Sequence, residues 1–171
     1  MKHIFLLLLL LSQLFSSMID LSTFKADFTQ KITDDKDKVL TYTGEIIASK
    51  NQKALWIYKS PVQKSVYLNR NKVTIIEPEI EQVIIRYIKS SFNFFNMLKN
   101  AKEISKDKYV TNFNNVNFTI TIKDNKIYSI NYLDEFENKV TITFTNQQQN
   151  IDIDENIFVA KYNLNFDIIR D

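Results

Sequence analysis

The chain has 171 residues, with 22 basic and 20 acidic side chains, one His, one Gly, two Pro and no Cys. So even a charge balance supplies no concentrated basic face for nucleic acid, and a single glycine cannot build a Gly-rich phosphate cradle. Without Cys there is no disulfide, no thiol nucleophile and no thiolate zinc site.

Lys2 and His3 precede an apolar run from Ile4 to Leu11. That run is too short to cross a bilayer and, followed by Leu14-Phe15-Ser16-Ser17, reads as a secretory signal cut after Ser17, leaving residues 18–171 as one domain. Removal of 1–17 takes away the only imidazole, so any enzymology falls to carboxylates, Lys, Tyr, Ser or Thr. The lack of Cys also removes the acceptor for an N-terminal lipid, and the product is expected free in an extracytoplasmic fluid.

Beyond the head, a period of two dominates. Phe24, Ala26, Phe28, Gln30 and Ile32 alternate with Lys25, Asp27, Thr29, Lys31 and Thr33, which predicts a strand. A charged turn, Asp34–Lys38, leads to Leu40, Tyr42, Gly44, Ile46 and Ala48 on one face of a second strand. After Asn51-Gln52, Ala54, Trp56 and Tyr58 share a face of a third. Short strands are expected at Ser65–Leu68 and Val73–Ile76, and another from Ile80 to Tyr87. The rhythm then breaks at Ser90–Lys99, where a Ser cap and apolar Phe92, Phe95 and Leu98, flanked by Phe94 and Met97, predict a short helix that must be covered. Strands resume at Tyr109–Phe113, Val116–Ile122, Ile127–Leu133 and Val140–Thr145. Gln147–Asn150 reads as a polar loop, and Asn156–Ala160 with Phe166–Ile169 as closing strand pieces.

Short turns at Lys123–Asn125 and Asp134–Asn138 favour an antiparallel meander. Strand after strand with one helical insert is compatible with a sandwich, a closed barrel or one strongly curved sheet wrapped around the helix. Phe24, Phe28, Tyr42, Trp56 and Tyr58 load one sheet face with aromatic area that a single helix covers poorly, so a cavity is expected.

Catalytic and metal motifs are weak. Glu77, Glu79 and Glu81 alternate as solvent-facing strand charges do. Asp34, Asp35 and Asp37 lack the Gly and distal Glu of a helix-loop-helix calcium site. No Ser–Lys pair stands in a recognisable context.

In order along the chain, Phe24-Lys25-Ala26-Asp27-Phe28-Thr29-Gln30, Gly44, Trp56-x-Tyr58 with Pro61 and Gln63, Pro78 with Gln82-Val83, Ile153-Asp154, Phe158 and Phe166-Asp167-Ile168-Ile169 resemble the periplasmic outer-membrane lipoprotein carrier family, LolA. The resemblance implies a mainly β (α+β) fold: a strongly curved antiparallel sheet forming an incomplete barrel, its concave face covered by short helices acting as a lid. It implies no cofactor and no metal, and a monomer that receives acyl chains of outer-membrane lipoproteins from an inner-membrane ABC release complex and delivers them to the outer membrane, where a receptor is a further expected partner. The alternatives are a lipid-sensing or structural periplasmic module of the same fold and, less favoured, a lipid hydrolase.

Strand parity then nominates Phe28, Ile46, Ala48, Trp56 and Tyr58 as cavity lining and Phe92, Phe95 and Leu98 as the lid's inner face. The family's Arg-Pro falls on Lys50-Asn51. Lys50 shares the parity of Ile46 and Ala48 and is expected to latch the lid by hydrogen-bonding its carbonyls, more weakly than the planar fork of Arg. The family's Asp-Gly turn becomes Asn69-Arg70, and its late Gly becomes Asn165, a residue that tolerates left-handed geometry.

Overall fold

A computed structural model describes residues 21–88 and 94–170. The signal-like head, Phe92 and the Ser cap of the helix lie outside the described residues.

Among the described residues twelve strands form one sheet. Six follow one another as a meander: β1 (Thr23–Thr33), β2 (Val39–Ser49), β3 (Lys53–Ser60), β4 (Lys64–Asn69), β5 (Lys72–Glu77) and β6 (Gln82–Tyr87). The helix α1 (Phe94–Lys99) leads into a second meander, β7 (Lys102–Ser105), β8 (Lys108–Phe113), β9 (Val116–Lys123), β10 (Lys126–Leu133) and β11 (Lys139–Gln149). β11 returns beside β1, pairing Phe144 with Phe28 and Ile142 with Gln30, so the first and last long strands join the two meanders. The final strand β12 (Asp167–Arg170) runs beside β6, and the sheet order is β12-β6-β5-β4-β3-β2-β1-β11-β10-β9-β8-β7. Among the described residues β12 and β7 are its two edges, so the curved sheet is not closed.

Alternation sorts the side chains as a half-buried sheet requires. The inner face of β1, β2 and β9–β11 carries the main core: Phe24, Ala26, Phe28, Ile46, Ile120, Ile122, Ile130, Val140, Ile142 and Phe144, closed over by Phe94, Met97 and Leu98 of α1. The outer face is covered by the chain between β11 and β12, through Ile153 and Phe158 against Ile47, Leu55 and Tyr67, then Ala160, Tyr162 and Phe166 against Ile76, Val83 and Ile85. Glu155 fastens this segment, accepting from Lys53 Nζ at 2.6 Å, Ser49 Oγ at 3.2 Å and Asn51 Nδ2 at 3.4 Å.

With one glycine available, the turns place other residues at positive φ. Asn114-Asn115 and Asp124-Asn125 do so as pairs, the geometry of the tight hairpin turn. Arg70 holds the left-handed position (φ 55°) where a glycine is expected. The glycine itself is fixed by space: a Cβ on Gly44 would overlap the Ile57 carbonyl oxygen and lie 2.8 Å from two carbons of the Phe28 ring.

Several sequence expectations are corrected. Pro78–Ile80 is a 3-10 turn, and β6 starts only at Gln82, after Glu81 takes a left-handed φ of 51°. β11 continues through Gln147–Gln149, where a polar loop is expected, because Phe24 and Lys25 pair with Gln149 and Gln148. Glu155–Phe158 is a 3-10 turn capped by the Asp154 carboxylate, not a strand. β12 pairs parallel with β6 rather than extending an antiparallel meander. Asn165 is not left-handed; Asn163 shapes that turn instead, its Oδ1 accepting from Asn165 N at 3.0 Å. Among the described residues α1 is the one α-helix, where several short helices are expected over the concave face.

Candidate functional site

Register decides which side chains share the concavity. Phe28 lies opposite Gly44, Gly44 opposite Tyr58, Ile46 opposite Trp56, and Ala48 opposite both Phe24 and Ala54. Residues directly opposite one another point to the same face, so Phe28, Ile46, Ala48, Trp56 and Tyr58 are brought together as their parity requires. The rings interlock: Phe28 meets Trp56 edge-on at 5.0 Å and Tyr58 at 5.1 Å, and Tyr42 meets Tyr58 at 5.7 Å. Such aromatic pairs add about 0.5–1.5 kcal/mol each beyond area burial.

α1 sits on this face. Its Phe94 ring lies 5.5 Å from Phe24 and 5.5 Å from Phe95, and Leu98 is buried in the same cluster. The contact is tight. A residual cavity of about 20 Å³ remains between Ile46, Ala54, Trp56 and Leu68 on the sheet and Phe94 and Phe95 on the helix. That is room for about one water molecule, far less than a hydrocarbon chain occupies.

The other half of the concave face is differently covered. Val66 on β4 is in register with Trp56 and Ile75, and Ile75 with Ile84 on β6, so these side chains and Leu68 and Val73 continue the inner wall. All of them are half-buried, as against the sealed residues of β1 and β11. Ile169 of β12, 38% exposed, lies opposite Ile84 and completes the row. This wall is absent from the residues that parity nominates, although the alternation Val66/Leu68 and Val73/Ile75 carries the signal.

At the end of the concavity away from α1 the wall turns polar. Tyr58 OH donates to Gln30 Oε1 at 3.1 Å, and burial, with Tyr132 and Tyr42 nearby, pushes its phenol up to about 12. Tyr58 is therefore an un-ionised donor throughout the physiological range. Burial and then Asp134 likewise raise the Tyr132 phenol.

Lys50 falls just beyond β2, in the turn to β3. Its backbone N–H donates to the Ser22 carbonyl at 2.9 Å, and its exposed side chain borders an open polar cleft of about 690 Å³ with Asn51, Gln52, Lys53, Asn69 and Arg70. Gln52 and Lys53 border both this cleft and the crevice under α1. No group of three or more His, Asp or Glu side chains among the described residues is placed to hold a metal ion, and no helix among them is long and apolar enough to cross a membrane.

The described residues thus form an open, curved β-sheet whose apolar inner face is capped by one short helix. Residues 20–115 match the family model described as outer membrane lipoprotein carrier protein LolA. The chain is 42% identical over 171 residues to an outer-membrane lipoprotein carrier protein of Campylobacter jejuni, spanning 99% of this chain and 100% of the relative. It is 36% identical to one from Helicobacter pylori, over 88% of this chain and 81% of that one. A crystal structure of an uncharacterized conserved protein from Thermus thermophilus shares the fold, with TM-score 0.54 and 9% identity over 88% of this chain and 91% of that one. The chain belongs to the LolA outer-membrane lipoprotein carrier family.

Proposed function

We propose that this chain is a periplasmic chaperone that binds the acyl chains of lipoproteins on its concave face and carries them from the inner-membrane ABC release complex to the outer membrane. In this reading residues 1–17 direct export, and residues 18–171 are the carrier. Water rejects acyl chains at about 0.8 kcal/mol per methylene, so passage across an aqueous compartment needs an apolar container. The observation that carries the reading is the concave wall itself: Phe28, Ile46, Ala48, Trp56 and Tyr58 face inward, and the wall from Val66 to Ile84 is apolar yet only half-buried.

Release matters as much as capture. α1 is six residues long and presents three buried side chains to the sheet, so its displacement costs little compared with unfolding the sheet. Cargo would take the place of Phe94, Phe95 and Leu98. Until cargo pushes the lid aside, Lys50, which borders the adjoining polar cleft with Gln52 and Lys53, would latch the closed lid by hydrogen-bonding its carbonyls. The cycle draws its energy at the membrane complex and requires no cofactor here; an outer-membrane receptor would accept the cargo.

The test is uptake of a synthetic triacylated lipopeptide by the purified mature protein, with Trp56→Glu and Phe95→Glu as variants. Both are expected to abolish uptake while keeping the β-sheet circular dichroism signal. Uptake at the level of the unmutated protein in both variants would sink the cavity assignment. In cells, depletion is expected to strand outer-membrane lipoproteins at the inner membrane, which separates a carrier from a lipid sensor.

A further inference from the structure

The concave face holds one feature that an oil container does not need. Lys64 opens β4 directly opposite Tyr58, two residues before Val66, and so belongs to the inner row rather than to the outer face. Its ammonium nitrogen lies 4.6 Å from the centroid of the Tyr58 ring and 5.5 Å from that of Tyr42, two rings set nearly perpendicular at 87°. Among the described residues no carboxylate lies within 4.0 Å of it, whereas Lys25 and Lys53 each have one. The side chain is half-buried.

A half-buried ammonium favours a partner. Two ring faces supply part of the attraction, but three N–H donors are best met by oxygen acceptors, and a charge-assisted bond of that kind is among the stronger hydrogen bonds. Tyr58 OH, which donates to Gln30 Oε1, adds a second fixed polar group beside it. From Lys64, the inner row of β4 runs through Val66 to Leu68, a distance of about 13 Å along the strand, and Leu68 borders the crevice beneath Phe94 and Phe95. The inner row of β4 thus passes from an ammonium beside two tyrosines to the apolar Val66 and Leu68, while Arg86, in register with Val73, and the crevice residues Gln52 and Lys53 stand at the helix end. A guest with acyl tails and oxygen-bearing linkages at their root can set those linkages against Lys64 and lay its tails along Val66 and Leu68.

Resting on the carrier reading above, we propose that Lys64, poised over Tyr42 and Tyr58, binds the ester and amide carbonyl oxygens at the root of the acylated cargo and so orients its tails along β3 and β4 toward α1. A free fatty acid offers the same cation a carboxylate, and the experiment separates the two sources.

The mature protein and its Lys64→Met and Lys64→Arg variants are titrated with three probes: a synthetic triacylated cysteinyl lipopeptide, palmitate, and diphenylhexatriene, a hydrocarbon without oxygen. Met keeps the apolar stem and removes the charge, so Lys64→Met is expected to weaken lipopeptide binding about tenfold and leave diphenylhexatriene binding unchanged, with Lys64→Arg close to the parent. Unchanged diphenylhexatriene binding also reports an intact fold. Equal lipopeptide affinity in parent and Lys64→Met overturns the proposal while the carrier reading stands. A loss confined to palmitate overturns it in favour of a carboxylate site. Failure of the parent to bind lipopeptide at all removes the carrier reading, and this proposal with it.

Discussion

The ring of Phe28 lies across the backbone of Gly44, its nearest carbons 2.8 Å from where a Cβ would be. This close approach lets Phe28 reach between Trp56 and Tyr58, and it explains why the chain's one glycine sits in the middle of a strand rather than in a turn. Gly44→Ala is expected to destabilise the fold by about 2–3 kcal/mol or more through overpacking, read as a lowered urea midpoint. The double variant Gly44→Ala with Phe28→Leu should recover only part of that loss, because the overlap with the Ile57 carbonyl is with backbone and cannot relax by a rotamer change.

The grip of α1 on the sheet is testable through Leu98, 2% exposed beneath the helix. Leu98→Ala is expected to weaken helix docking by about 2–4 kcal/mol. The Ala101 N–H, bonded to the Leu98 carbonyl at 3.1 Å, and the Asn100 N–H, bonded to the Asn96 carbonyl at 3.0 Å, should then exchange faster. Protection in β1 and β11 should change far less if the helix opens as a local unit.

Acid should loosen the segment that covers the outer face. The hydrogen bond from Lys53 holds the Glu155 carboxyl below its ordinary range. A carboxyl with a depressed folded-state value contributes stability that is complete above the unfolded value, roughly pH 4.3, and is lost as pH falls through the lower folded value. Urea titrations at pH 6 and pH 3 should therefore show a steeper loss for the parent than for Glu155→Gln. Parallel curves would mean that the Lys53 contact does not persist in solution.

Two turns at the same end of the sheet are built alike. Asp34 Oδ1 accepts from the N–H groups of Lys36 and Lys38, and Asp134 Oδ1 from those of Phe136 and Asn138. Asp134 gains a third bond from Asn138 Nδ2 at 2.9 Å. Although burial raises its carboxyl, these hydrogen bonds outweigh that effect and bring it below the ordinary range. Asp34→Ala and Asp134→Ala are each expected to lower stability by about 1–3 kcal/mol, with the larger loss at Asp134 and a measurable fall in melting temperature for both.

Strand parity makes most of the wall legible in the amino-acid sequence, because a period of two assigns faces without knowledge of partners: Phe28, Ile46, Ala48, Trp56 and Tyr58 need nothing more. Where parity is silent, the sequence does not reveal the structure. β7, Lys-Glu-Ile-Ser, is an edge strand exposed along its whole length and carries no alternation to detect. The glutamines that end β11 are strand because β1 offers them a ladder, and Gln147 Nε2 further bonds the Ile127 carbonyl at 2.6 Å. The face expected for Lys50 extends the alternation one residue past Ser49, into a turn where alternation no longer applies. The covering of the outer face by 151–166 has no period at all and depends on contacts distant in sequence.

The edges that β12 and β7 form among the described residues set a mechanical property of the bowl. A closed barrel has its girth fixed by strand number and stagger, whereas a sheet with two loose ends can widen or tighten by altering its twist while every ladder bond survives. On the carrier reading proposed above, guests of different bulk would be fitted by flexing the wall and released when it recoils.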